Sequence, residues 1–197
     1  MSPSAVTVTG TGTLVGSTGN DTITAGGSPV TIWGLGGSDN ITAGGGMDVI
    51  DGGGTCPPGL APGDYPNGLP GTNYCQHGPS GTFGTDTITA GGGEDTVFAF
   101  GGPNIVTVGN GEDTIFAYGT GIYTTGTGRD TINAQFSTHD TITCGSKHST
   151  VFAVKDGGDT ITNCTVKFVS QQPVPGQSSS ARRLAKTGRT AAVKSAA

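Results

Sequence analysis

GSTGNDTIT (16–24), AGGSPVTIW (25–33), GLGGSDNIT (34–42) and AGGGMDVID (43–51) are consecutive nine-residue units with an aliphatic side chain at the eighth position. Those positions are Ile23, Ile32, Ile41 and Ile50, and the slot two places earlier holds Asp21, Val30, Asp39 and Asp48. A period this short has no room for a helical hairpin or a propeller blade. Each unit must be one tight turn and one short strand stacked on its neighbours.

The phase extends in both directions. TVTGTGTLV (7–15) is a degenerate unit, so residues 1–15 are expected to cap a first block at 16–51. Residues 52–80 carry Cys56, Cys75 and six prolines, a composition that cannot pair as central strand and should loop out of the stack. The repeats resume with GTFGTDTIT (81–89), AGGGEDTVF (90–98), AFGGPNIVT (99–107) and VGNGEDTIF (108–116), opening a second block at 81–169. Later spacings of ten, from Asp130 to Asp140 and from Val151 to Ile161, loosen the register. Residues 170–197, rich in Ser, Ala, Gly and Pro, read as a basic disordered tail.

Composition agrees with a thin core. Of 197 residues 38 are Gly, with 32% hydrophobic and 6% aromatic, too few large side chains for an ordinary rounded interior. Period-two alternation puts Val97 and Ala99 inward and Thr96 and Phe98 outward. The same holds for Ile23/Ala25, Ile41/Ala43, Ile88/Ala90, Ile115/Ala117, Ile132/Ala134 and Val151/Ala153. The net charge of −5 hides a division: all 14 acidic residues lie at or before Asp159, and the chain beyond is basic. An acidic body repels nucleic-acid phosphates and favours cations. No stretch approaches a membrane span, and Met1 to Gly10 lacks the basic and apolar regions of a signal peptide.

The Asp slot carries the chemistry. Carboxylates repeated on stacked turns face their copies at about the 4.8 Å strand spacing and repel unless a cation lies between them. Carboxylate and backbone oxygens, without His or thiolate, select a hard ion and favour Ca²⁺. The alternative is that each Asp caps its own turn through the backbone.

Turns such as Gly34-Leu35-Gly36-Gly37-Ser38-Asp39-Asn40-Ile41 resemble the RTX (hemolysin-type) calcium-binding nonapeptide. The resemblance covers residues 16–51 and 81–162 and implies an all-β, right-handed parallel β-roll, a β-solenoid with two repeats per coil. It also implies Ca²⁺ between turns two units apart, and a protein that is secreted or on the cell surface. Alternate units then share an edge. Asp95, Asp113 and Asp130 stack on one edge before Ser149 breaks the row; Asp86, Asn104, Ile122, Asp140 and Asp159 occupy the other. Before the insertion Asp21 stacks on Asp39, while Asp48 faces Val30. Asp95, Asp113, Asp21 and Asp39 are the leading metal ligands, with Asp130, Asp48, Asp86, Asp140 and Asp159 behind them.

The outward faces differ. One presents Thr22/Thr24, Asn40/Thr42, Thr87/Thr89, Thr141/Thr143 and Thr160/Thr162, a grid that resembles the faces of ice-binding solenoids and is interrupted at Ile105 and Tyr123. The β-propensity of Thr alone also fills exposed strand positions. The other face carries Phe98, Phe116 and Phe152, expected outside the core as a surface for a partner chain or for self-association. Cys56/Cys75 and Cys144/Cys164 suggest two local disulfides and an oxidising compartment. Cys144 takes an inward Ala slot, and Asn163 is expected in the equivalent slot one coil later, bringing Cys164 within bridging reach. Leu184-Ala185-Lys186-Thr187-Gly188 resembles a sortase signal without the apolar span that should follow. His77, His139 and His148 are scattered and sit in no catalytic motif, so a structural or adhesive role is expected over a β-helical polysaccharide-active enzyme.

Overall fold

The computed structural model describes residues 5–17, 19–53 and 84–170. The expected Cys56–Cys75 bridge and the basic tail lie outside them. Among the described residues there is no helix. The chain forms β1 (Thr7–Ser17), β2 (Thr22–Leu35), β3 (Asn40–Thr42), β4 (Val49–Asp51), β5 (Thr87–Thr89), β6 (Thr96–Ala99) and β7 (Asn104–Thr107). These are followed by β8 (Thr114–Ala117), β9 (Gly121–Thr124), β10 (Thr131–Ala134), β11 (Thr141–Thr143), β12 (Thr150–Val154), β13 (Thr160–Thr162) and β14 (Thr165–Val169).

Every pairing is parallel, and odd and even strands separate. One sheet runs β3-β5-β7-β9-β11-β13 and the other β4-β6-β8-β10-β12-β14. The long strands β1 and β2 pass through both, each supplying a whole coil: Val8 pairs with Ile23 and Leu14 with Ile32. Two repeats per coil is therefore the architecture, a β-solenoid consistent with a β-roll. The stack also closes over the insertion, since Ile41 pairs with Ile88 and Ile50 with Val97 across the 47-residue separation.

The aliphatic column forms the core. Ile23, Ile32, Ile41, Ile50, Val97, Ile115, Ile132 and Ile142 are fully buried, with Ala43, Ala90, Ala99, Ala117 and Ala134 beside them. Each buried Ile or Val contributes about 1.5–3 kcal/mol, which makes stability a sum over coils. The turns close at both edges through stacked glycines. Gly93 has φ 135°, and a Cβ there would fall on the Gly46 carbonyl oxygen of the preceding coil, so both backbone geometry and close approach demand glycine.

Two register expectations are corrected. Gly121, not Ile122, pairs with Asn104, so Ile122 faces outward at 48% exposure and Tyr123 points into the core. Tyr123 donates its hydroxyl to the Gly119 carbonyl at 2.6 Å, and a Cβ on Gly121 would meet that hydroxyl at 2.8 Å. The large ring thus occupies the space an Asp side chain would need. At the last coil Asn163 does not enter the inward slot. It is exposed with φ 59°, its amide donating to the Cys144 carbonyl at 2.7 Å, and the turn to β14 is only two residues long. Cys164 itself bonds to buried Cys144, with Cα atoms 5.3 Å apart.

Candidate metal centre

The Asp slot immediately precedes each strand, and its side chain lies inside the turn rather than in solvent. Asp21, Asp39, Asp48, Asp86, Asp95, Asp113, Asp130 and Asp140 are all buried. Their backbones belong to the ladder: the Asp39 carbonyl accepts from Thr87, that of Asp48 from Thr96 and that of Asp95 from Thr114, each at 2.8 Å.

One carboxylate oxygen of each Asp ties neighbouring coils together. Along the first edge, Asp39 Oδ1 accepts the Asp21 N–H at 2.8 Å, Asp86 Oδ1 accepts that of Asp39 at 2.9 Å, and Asn104 Oδ1 accepts that of Asp86 at 3.0 Å. The row lapses at Gly121, whose N–H reaches Asp140 Oδ1 at 2.9 Å, and ends with the Asp140 N–H on Asp159 Oδ1. Along the second edge, Asp48 Oδ1 accepts from Val30, Asp95 from Asp48, Asp113 from Asp95 and Asp130 from Asp113, at 2.8–3.2 Å. Ser149 closes this row by accepting the Asp130 N–H. The capping role is therefore realised mainly between coils, while Asp21 and Asp140 also cap their own turns through Ser17 and Ser137.

The second oxygen divides the set. Asp21 Oδ2 accepts the Ser17 N–H, Asp130 Oδ2 accepts the Ser149 hydroxyl at 2.9 Å, and Asp140 Oδ2 accepts that of Ser137 at 2.6 Å. The Oδ2 atoms of Asp39, Asp48, Asp95, Asp113 and Asp159 are buried with no hydrogen-bond partner. Such an oxygen requires a proton or a cation. Burial accordingly pushes the carboxyl pKa up, to about 8 at Asp39, about 7 at Asp86 and about 6 at Asp113 and Asp140. Those of Asp48 and Asp95 rise for the same reason.

The surroundings suit a hard ion. A Cβ at Gly34 would lie between Asp39 Oδ2 and the Gly52 carbonyl oxygen, and one at Gly111 between the Gly93 carbonyl and the Asp113 carboxylate. Carboxylate and main-chain oxygens thus converge where only glycine leaves room. Among the described residues no three His, Cys, Asp or Glu side chains form a cluster, so an ion here would take most of its oxygens from the backbone.

The family model of the RTX calcium-binding nonapeptide repeat matches the sequence in four copies, over residues 7–28, 31–54 and 80–115. Those segments carry RTX calcium-binding repeats. The RTX match ends at Ile115, shortly before Gly121 and Tyr123 replace the Asp-based turn. Comparison with curated proteins and with solved structures finds no match. RTX repeats imply calcium binding and are typically structural.

Sequence reasoning missed Asp51. Alternation places it outward between Trp33 and Phe98, yet it is buried; Oδ1 accepts the Gly53 N–H at 3.0 Å and Oδ2 has no partner. Burial, then the charge of Asp86, drives its pKa well up. Its position next to the insertion is the only sequence signal. Phe98 and Phe116 are half-buried and stack at 5.0 Å, partly covering one another, and Lys167 lies 5.4 Å over the half-buried Phe152 ring.

Proposed function

We propose that the protein is a calcium-stabilised structural or adhesive module, secreted or displayed on a cell surface, whose ions sit between successive turns. Asp39 on one edge and Asp48, Asp95 and Asp113 on the other supply carboxylate oxygens, and the turn carbonyls supply the rest. The observation that carries this reading is the run of buried, unpartnered Oδ2 atoms on stacked glycine turns. Asp21, Asp130 and Asp140 are weaker ligands because their second oxygens are already engaged, and the Tyr123 coil holds no ion on its edge. Asp86 completes the first edge beside Asp39, and Asp159 ends it.

Calcium neutralises carboxylates that repel one another, and the thin core does not by itself offset the ordering entropy of the chain. The Cys144–Cys164 bridge suits an oxidising compartment. A non-catalytic role is supported by the repeated use of the carboxylates and by the exposed turns that hold His139 and His148. An open cavity of about 380 Å³ beside β12, β13 and β14 is lined by Val154, Asp156, Asp159, Ile161, Val166 and Phe168 among others, with no Ser, Cys, Thr or His among the described residues of its wall. Titrating calcium into chelator-treated protein should convert a largely disordered circular dichroism spectrum into a β-type one. An unchanged spectrum refutes the proposal.

A further inference from the structure

The register of the odd sheet brings Thr9, Thr24, Thr42, Thr89, Thr107, Thr124, Thr143 and Thr162 into one uninterrupted row. All but half-buried Thr124 are exposed. A parallel row on the same face reads Thr7, Thr22, Asn40, Thr87, Ile105, Ile122, Thr141 and Thr160. No charged or aromatic side chain occurs in either row.

The fold does not impose this. On the even sheet the residue that follows the Asp slot is also mostly Thr, as at Thr31, Thr96, Thr114, Thr131, Thr150 and Thr165, so that position has a common local cause. The position two residues later behaves differently. On the even sheet it holds Trp33, Asp51, Phe98, Phe116, Asn133, Phe152 and Lys167, whereas on the odd sheet it is Thr throughout. β-Propensity acts on both sheets alike and cannot account for a one-sided preference.

The backbone ladder holds these side chains about 4.8 Å apart along the stack and about 6.7 Å apart along each strand. Each Thr presents a hydroxyl that both donates and accepts beside a methyl that restricts neighbouring water. Ile105 and Ile122, exposed at 43% and 48%, keep the surface uncharged where the hydroxyls lapse. A matching partner must itself be flat, uncharged, hydrogen-bonding and periodic in two dimensions. We propose that this threonine face binds ice. A crystalline polysaccharide fits less well because the face offers no aromatic ring for a sugar to stack on.

The test compares three calcium-loaded proteins with matching circular dichroism: the native chain, Thr89→Lys/Thr107→Lys on the proposed face, and Thr114→Lys/Thr131→Lys on the opposite sheet. Thermal hysteresis and inhibition of ice recrystallisation are expected in the native chain and the second-sheet variant, and lost in the first-sheet variant. Absence of both effects in the native chain overturns the proposal, as does equal loss in the two variants. Sedimentation in the cold supplies a further check: a native dimer that Thr89→Lys/Thr107→Lys dissociates, with ice growth unaffected by any of the proteins, assigns the face to self-association and also overturns it.

Discussion

Replacing Asp113 by Asn separates the two tasks of one carboxylate. Its Oδ1 accepts the Asp95 N–H at 2.8 Å, while its buried Oδ2 has no partner. Asn104 shows that an amide fits such a slot: its Oδ1 accepts the Asp86 N–H at 3.0 Å and its Nδ2 donates to the Phe100 carbonyl, four residues earlier, at 2.9 Å. The corresponding carbonyl for position 113 belongs to Gly109. Burial raises the Asp113 pKa from 3.8 to about 6, so without metal its contribution to stability is complete below pH 3.8 and is lost as pH rises through about 6. About two pKa units correspond to about 3 kcal/mol; screening by water at the turn reduces this to about 1.5 kcal/mol. In chelator at pH 8, Asp113→Asn should therefore be about 1.5 kcal/mol more stable than the native chain, with the gap closing toward pH 3.5. Calcium at a hundred times its dissociation constant adds about 2.7 kcal/mol per site, which the variant lacks, so the order should reverse by about 1 kcal/mol. Urea unfolding followed by circular dichroism measures the difference with calcium; because the metal-free chain is largely disordered, the difference in chelator is read as a larger residual β-type signal in the variant. A variant that is less stable in chelator at pH 8, or that calcium stabilises as much as the native chain, refutes the reasoning.

Gly93→Ala should cost about 1–3 kcal/mol in urea unfolding, because its φ of 135° is strained for Ala and the new Cβ meets the Gly46 carbonyl. Tyr123→Phe removes the hydrogen bond to the Gly119 carbonyl and should cost about 1–2 kcal/mol at equilibrium without changing calcium stoichiometry, which calorimetry would read. Replacing both Cys144 and Cys164 by Ala frees β13 and β14 from a loop of 20 residues and should cost about 3 kcal/mol; hydrogen exchange should show the loss concentrated in the last coil, and uniform loss would contradict this.

What could be read from residues alone was what repeats. The nine-residue spacing of Ile23, Ile32, Ile41 and Ile50 dictates a strand and a turn per unit, and alternation then assigns the core, because a side chain period of two and a stack of identical units leave few choices. The Asp slots, the bridge to Cys164 and the Thr face follow from the same phase. The failures fall where the phase changes. Nothing local shows that the turn before Tyr123 is one residue short, so Ile122 keeps the slot until the pairing of Asn104 with Gly121 decides otherwise. Asn163 likewise looks like a core position until the two-residue turn to β14 leaves it exposed.

Spacing alone determined a stack of one turn and one strand per unit and the residue types available to hold a hard cation, whereas two repeats per coil, and with them the two edges, came from the resemblance to the RTX nonapeptide. Only the tertiary structure decided which of those carboxylates keep an oxygen to spare, since that depends on Ser17, Ser137 and Ser149 reaching some of them and not others. It also decided that the stack continues unbroken from Asp39 to Asp86 and from Asp48 to Asp95. Hydrogen bonds between coils join residues 47 apart as readily as residues 18 apart, and a pattern read along the chain carries no record of that reach.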